Sequence, residues 1–317
     1  MTQLNLAPAA VVAATVPRRR WRLPRGAAPY VFLAPYALLL LAFGLGPIAY
    51  AMWTSVHRYD VEMNADVFNG LDNWRAILTD DRLLTSTVNV GKYLVVWLPT
   101  MLVLVLVIAL LAHQRTGRFS SAVRLAVYVP GAVTGSAAAL MWLFMLTPGY
   151  SPFTPLLRAM GFASSSETIT QGGLPVVLSI IATAVTAGGW IVVLYAALNA
   201  LPQDILEAAR IDGASALQIA LRIKLPLVKN YLSLMLISSF AYGTQLFVEP
   251  QVLRSAFTAQ ISETFAVNQL AYFYATQEGD FGQSAALSLM LMSVGIAVAL
   301  IVIFRTDFYA TDADREH

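Results

Sequence analysis

The 317-residue chain contains no cysteine. That excludes a disulfide framework, a cysteine metal site and a thiol nucleophile. Histidine is scarce: His57, His113 and His317 lie far apart and show no ligand spacing. Charge is scarce too, at 12% of residues against 58% hydrophobic. Soluble domains carry about 25% charged and about 45–50% apolar residues. The departure excludes bulk disorder and argues against an ordinary cytosolic enzyme. A net charge of +2 gives no reason to expect a nucleic-acid partner. Nucleotide and hydrolase signatures are missing as well. The one Gly-Lys pair, Gly91-Lys92, is followed by Tyr93 and lacks the earlier glycine, so there is no P-loop for ATP. Neither H-E-x-x-H nor G-x-S-x-G occurs.

What is present is long apolar blocks. A helix needs about 20 apolar residues to cross the hydrocarbon core. Six segments qualify or nearly do: Pro29–Tyr50, Tyr93–Ala112, Leu125–Leu146, Leu174–Leu198, Tyr231–Leu253 and Ala285–Phe304. The fifth is the weakest, because Gln245 and Glu249 interrupt it. No run alternates as a barrel strand would, and backbone groups in lipid must be satisfied locally. The expected fold class is therefore all-α, a polytopic membrane protein with six transmembrane helices. Residues 1–26 read as a flexible cytoplasmic arm, 27–304 as the membrane domain and 305–317 as a cytoplasmic tail.

The basic residues set the orientation. Fourteen of the twenty Lys and Arg fall before span one, between spans two and three, between spans four and five, and after span six. The positive-inside rule puts both termini in the cytoplasm. Residues 51–91 then form the longest outer loop, with six acids. Spans one, three, four and six hold no ionisable residue between their ends. An ion-coupled carrier more often buries an Asp or Glu at mid-depth. Any energy for transport is expected from another subunit.

The most informative stretch is the inner loop, residues 199–228. It reads as two short helices. Pro202 suits a first helical position. Ile205, Leu206 and Ala209 share a face. Gly213 is placed to end the first helix and Ser215 to cap the second. Leu217, Ala220, Leu221 and Lys224 follow at helical spacing, and Leu225-Pro226 is expected to stop the second helix. Taken alone, such a loop could also rest on lipid headgroups.

The order E-A-A-x-x-D-G-A, eight residues, then I-x-L-P closely resembles the EAA loop of permease subunits from binding-protein-dependent ABC importers. Glu207, Ala208, Ala209, Asp212, Gly213 and Pro226 match that pattern. Three further segments resemble the carbohydrate-uptake group of maltose and glycerol-3-phosphate type, and the first of its two permease subunits. They are Phe68-Asn-Gly70-Leu-Asp-Asn73-Trp74, the run from Phe32-Leu-Ala-Pro35 to Gly46-Pro47-Ile48, and Arg124 followed by Pro130. One departure is that Glu249-Pro250 to Phe257 stands where first subunits often carry L-T-x-G-G-P. The resemblance implies a type I importer fold, with the loop as a coupling pair seated in an ATPase subunit. It implies no cofactor in this chain, with ATP and magnesium on the ATPase subunit. The implied partners are a second homologous permease subunit, ATP-binding ABC subunits, an extracytoplasmic solute-binding protein and membrane lipid, in a prokaryotic inner membrane.

Polar groups inside spans four and five are the candidates for a solute pathway. Ser238, Tyr242 and Gln245 fall on one helix face, with Ser239 beside them and Thr186 in span four. Hydroxyl and amide groups with aromatic faces suit a sugar. Plain interhelical packing would use Ser and Thr in the same places. The alternatives are an ABC permease for another solute, a self-sufficient secondary carrier, and a polytopic membrane enzyme. The last is disfavoured by the lack of clustered catalytic groups.

Overall fold

The structure is a computed structural model that describes residues 28–114, 117–159, 161, 164, 167, 169, 172–257 and 259–305. The expected arm at 1–26 and all but Arg305 of the expected tail lie outside the described residues. The chain divides into two compact units, Met1–Ala49 and Tyr50–His317.

Helices α1 (Ala28–Leu39) and α2 (Gly46–Ser55) are joined by a π-helical turn, Leu40–Leu45. Together they give a helical run, Pro29–Ser55, apolar enough to cross a membrane. A two-stranded antiparallel hairpin follows, β1 (His57–Asp60) and β2 (Ala65–Phe68), with His57 opposite Phe68. Then come α3 (Asp72–Thr79), the long α4 (Asp81–Gln114) and α5 (Arg118–Tyr128). A 3-10 turn at Val129–Ala132 leads to α6 (Gly135–Met145) and the short α7 (Thr154–Ala159). α8 (Leu174–Asn199) is followed by α9 (Gln203–Ile211), α10 (Ala216–Ile219), a π turn at Ala220–Lys224 and α11 (Leu225–Leu227). The chain closes with α12 (Lys229–Thr244), α13 (Val248–Ala256), α14 (Val267–Thr276) and α15 (Phe281–Arg305).

The fold is all-α apart from the hairpin. Among the described residues, four helices are long and apolar enough to span a membrane: Pro29–Ser55, α4, α8 and α15. Two bent pairs bring the number to six if each is one span. The expected third span is not straight. Its two halves, Ser120–Ala132 and Gly135–Met145, meet at 105°. Pro130 removes a backbone donor, and Gly135 adopts a left-handed φ of 62°, so the helix ends and restarts there. The expected fifth span bends by 42° between α12 and α13, at the Gln245 break.

The core of the larger unit forms where α4 lies along α8. Tyr93, Trp97, Met101, Val105 and Ala109 recur every four residues on α4 and are buried against Leu178, Ile181 and Ile191 of α8. The opposite face of α4 is just as apolar: Val95 is 74% exposed and Val103 60%. A helix apolar all round belongs in lipid or in a larger assembly. In lipid, helices associate through close packing, and small residues permit the approach. Gly188 of α8 lies so close to the carbonyl oxygen of Val127 that a Cβ would sit 2.3 Å from it. Gly131 likewise meets the Val185 carbonyl, at 2.5 Å. Arg124 adds a clasp, its guanidinium stacked 4.0 Å over the Tyr195 ring.

On the acid-rich side, Asn73 is 3% exposed and donates to the carbonyls of Ser55 and His57, both at 2.9 Å. It ties α3 to the start of the hairpin, and Gly282 of α15 leaves the room it needs. Asp80 accepts from Arg82 and from the Tyr274 hydroxyl at 2.7 Å, and Arg82 also reaches Glu278 at 2.7 Å. This cluster fastens the start of α4 to α14 and the turn after it.

Candidate functional site

The loop between α8 and α12 folds into a compact knob. α9 starts one residue later than expected: Pro202 is the N-cap, with ψ 124°, and Gln203 is the first helical residue. Its end is a left-handed glycine cap. Gly213 has φ 79°, its N–H donates to Arg210, and the Ala214 N–H donates to Ala209 at 3.0 Å. Ser215 then opens α10 with a reciprocal box. Its hydroxyl accepts from the Gln218 N–H, and the Gln218 side chain accepts from the Ser215 N–H at 2.7 Å.

The second helix does not stop at Leu225-Pro226. Leu225 is α-helical (φ −58°, ψ −50°), and the helix runs on to Leu227. The preceding turn widens to π geometry, which relieves the clash of the Pro226 ring with the carbonyl four residues back. The faces also differ from the expected ones. Leu206, Ala209 and Ile219 form a small separate core with Ala214 and Ile223. Of the residues expected to share helix faces, Ile205, Leu217 and Leu221 are exposed, as is Ile211 at 86%. Glu207, Ala208, Asp212, Gly213 and Pro226 are exposed and Ala209 is buried. Among the described residues none forms an ion pair with Glu207.

The candidate pathway residues separate into two groups. Thr186 and Ser239 converge on the same atom, the Met101 sulfur, at 3.5 and 3.7 Å. Thr186 also donates back to the Ala182 carbonyl at 2.6 Å. They pack α8 and α12 against α4. Tyr242 and Gln245 are exposed. Gln245 lines a cavity of about 470 Å³ with Thr244, Asn268 of α14 and Ser288 of α15. Asn268 was not among the sequence candidates because α14 is too short and too polar to read as a span. Ser288 was visible as a hydroxyl within span six. Tyr93 and Trp97 were missed as well: their rings stack at 5.3 Å, and Trp97 lies 5.9 Å from Tyr242. The Tyr93 hydroxyl and Trp97 Nε1 are buried with no hydrogen-bond partner among the described residues.

No group of three or more potential metal ligands occurs among the described residues. No family model matches the chain. The chain is 28% identical over 275 residues to the trehalose transport system permease protein SugA of Mycobacterium tuberculosis, covering 86% of this chain and 87% of that one. It is 27% identical over 288 residues to the sn-glycerol-3-phosphate transport system permease protein UgpA of Shigella flexneri, covering 90% and 93%. A chain from the crystal structure of a bacterial ABC transporter involved in import of the acidic polysaccharide alginate superposes with a TM-score of 0.73 at 16% identity, covering 90% of this chain and 97% of that one. A second alginate ABC transporter structure, in complex with an alginate pentasaccharide-bound periplasmic protein, gives 0.70 over 88% and 93%. The chain is thus similar, over nearly their whole length, to permease subunits of solute transport systems, and it has the fold of a chain from an ABC importer.

Proposed function

We infer that this chain is a transmembrane permease subunit of an ATP-driven ABC importer for a sugar or related polar solute. The observation that carries the reading into mechanism is the knob formed by α9 to α11. Its own core, the glycine cap and the capping box make it a rigid body. Ile205, Ile211, Leu217 and Leu221 stand uncovered around it, beside Glu207, which has no ion pair among the described residues. Apolar side chains clustered on a rigid surface mark an interaction site. We assign its partner as the ATPase subunit, with Glu207, Ala208, Ala209, Asp212, Gly213 and Pro226 building the contact. ATP and magnesium are then held by that subunit, and this chain is non-catalytic.

The knob is continuous with α8 at one end and α12 at the other, so a displacement of the knob moves both helices. In this reading α12 presents Tyr242 and Gln245 to the pathway, with Thr186 and Ser239 holding the wall from behind. A second permease chain closes the other side. A solute-binding protein delivers on the acid-rich face, and both termini lie in the cytoplasm of a prokaryotic cell.

The test is retention of the ATPase on a tagged permease at equal expression. Glu207→Lys reverses a charge at the docking surface. Truncating or opposing one member of a docked charge pair costs about 2–5 kcal/mol. Retention and uptake are expected to fall at least about tenfold while the chain stays in the membrane. Normal retention and uptake in both Glu207→Lys and Gly213→Val would remove the knob as the coupling element.

A further inference from the structure

Lys224 is 5% exposed, although it lies in a polar loop two residues before Pro226. The π turn Ala220–Lys224 swings its side chain inward, and the ammonium meets His113 Nδ1 at 2.9 Å. An ammonium has donors only, so Nδ1 accepts and the imidazole is neutral with its proton on Nε2. The same ring also lies against the backbone of Leu198, in the last turn of α8. A single imidazole therefore joins three elements: the end of α4, the end of α8 and the second helix of the knob.

The charged groups that bear on His113 are Lys224 and Arg210, both cations. No carboxylate is among them. Burial, with Arg210 nearby, holds the Lys224 ammonium below the usual lysine range. A second proton on the pair would set two cations 2.9 Å apart with no counter-charge among the described residues, and Nδ1 would no longer accept. The contact exists only while the pair carries one positive charge.

We propose that His113 is a positioning residue for energy coupling: its neutral ring holds the second helix of the knob against α4 and α8, and a proton taken up from the cytoplasm releases that helix. The proposal rests on the importer reading above. Acidification then lowers transport per ATP hydrolysed, because the knob no longer carries its displacement into both helices. Burial and the neighbouring cations oppose that proton, so the release lies below histidine's ordinary range, on the acid side of neutral.

The importer, purified with its own partner chains through a tag on this permease, is reconstituted in vesicles with the cytoplasmic side at about pH 7.5 or about pH 5.5. The readout is solute transported per ATP hydrolysed, which divides out the ATPase's own pH dependence. In the wild type the ratio is expected to fall roughly threefold or more across that interval. His113→Gln keeps an acceptor for Lys224 and cannot titrate, so its ratio stays flat at the wild-type neutral value. His113→Leu leaves the ammonium unpaired and is low at both pH values. Lys224→Gln removes the cation that makes protonation disruptive and also flattens the profile. If His113→Gln or Lys224→Gln follows the wild-type slope, the proposal is overturned. If no ATPase co-purifies with the wild type, the importer reading itself fails.

Discussion

A side chain at position 213 would meet open space, yet the backbone there sits at φ 79°. The penalty for a substitution is therefore conformational and steric clash plays no part. Asparagine tolerates the left-handed region and a β-branched residue does not. Gly213→Asn is expected to retain the ATPase and Gly213→Val to lose it, since holding valine there costs about 1–3 kcal/mol. The two variants differ in backbone preference while both add a side chain, which separates cap geometry from crowding. Gln245 poses the opposite case. It ends α12, so its side chain is free to serve the cavity it shares with Thr244, Asn268 and Ser288. Loss of one hydrogen bond costs about 0.5–1.5 kcal/mol, or about twofold to about tenfold. Gln245→Leu is expected to raise the solute concentration for half-maximal uptake by that factor, with the complex still purifying intact. Unchanged uptake kinetics would assign Gln245 to packing.

The elements whose rules are local were legible in the sequence, and those set by tertiary contact were not. Gly213 and Ser215 announce a turn and a cap by residue type alone, and both serve as such. α8 was read to within one residue of its end, because an apolar run without a breaker has one solution in lipid. The break at Pro130 and Gly135 was harder. Composition across Leu125–Leu146 is that of a span, and the packing of Gly131 and Gly188 against opposing carbonyls fixes the first half against α8. Pro226 misled for a related reason, because a π turn absorbs its ring and lets the helix continue. The pathway face was half visible. Hydroxyls and an amide can be counted in a span, but whether they meet a sulfur, as Thr186 and Ser239 do, or a cavity, as Gln245 does, depends on the neighbouring helix. The cluster that ties α4 to α14 carries its own prediction. The hydrogen bond from Arg82, chiefly, and that from Tyr274 draw the Asp80 carboxyl down to about 2. Burial and the same hydrogen bond push the Tyr274 phenol upward. A lowered acid stabilises the fold above its unfolded value of 3.8 and loses that contribution as pH falls through about 2. Thermal stability of the purified chain is expected to be insensitive to this group from neutral pH to about pH 4 and to drop below it. Asp80→Asn should lower stability at neutral pH and weaken that acid dependence, and an unchanged melting profile in the variant would show the cluster to be inert.

Across the whole molecule, charge is segregated where apolarity is not. The helices offer no sided pattern of their own, since α4 and α15 are apolar around their circumference. What distinguishes the two ends is the basic residues around the knob and the ends of α4 and α15, against the acids of the hairpin, α3 and the start of α4. Short basic loops are retained on the cytoplasmic side during insertion, and acids contribute little to that choice. The bent pairs make this more than a formality. If Gly135–Met145 turned back toward the side it came from, the loops that follow would lie on opposite faces from those a straight third span implies. The knob and the end of α4 would then be separated by the membrane. Yet Lys224 meets His113, which requires the end of α4 and the knob to share one side. That contact and the placement of the basic residues are independent and give the same answer. Reporter fusions after His113 and after Leu201 are therefore both expected to behave as cytoplasmic, and one at Asp66, next to the hairpin turn, as external. A cytoplasmic signal at Asp66 would invert the orientation, and opposite signals at His113 and Leu201 would mean that the bent third segment fails to cross.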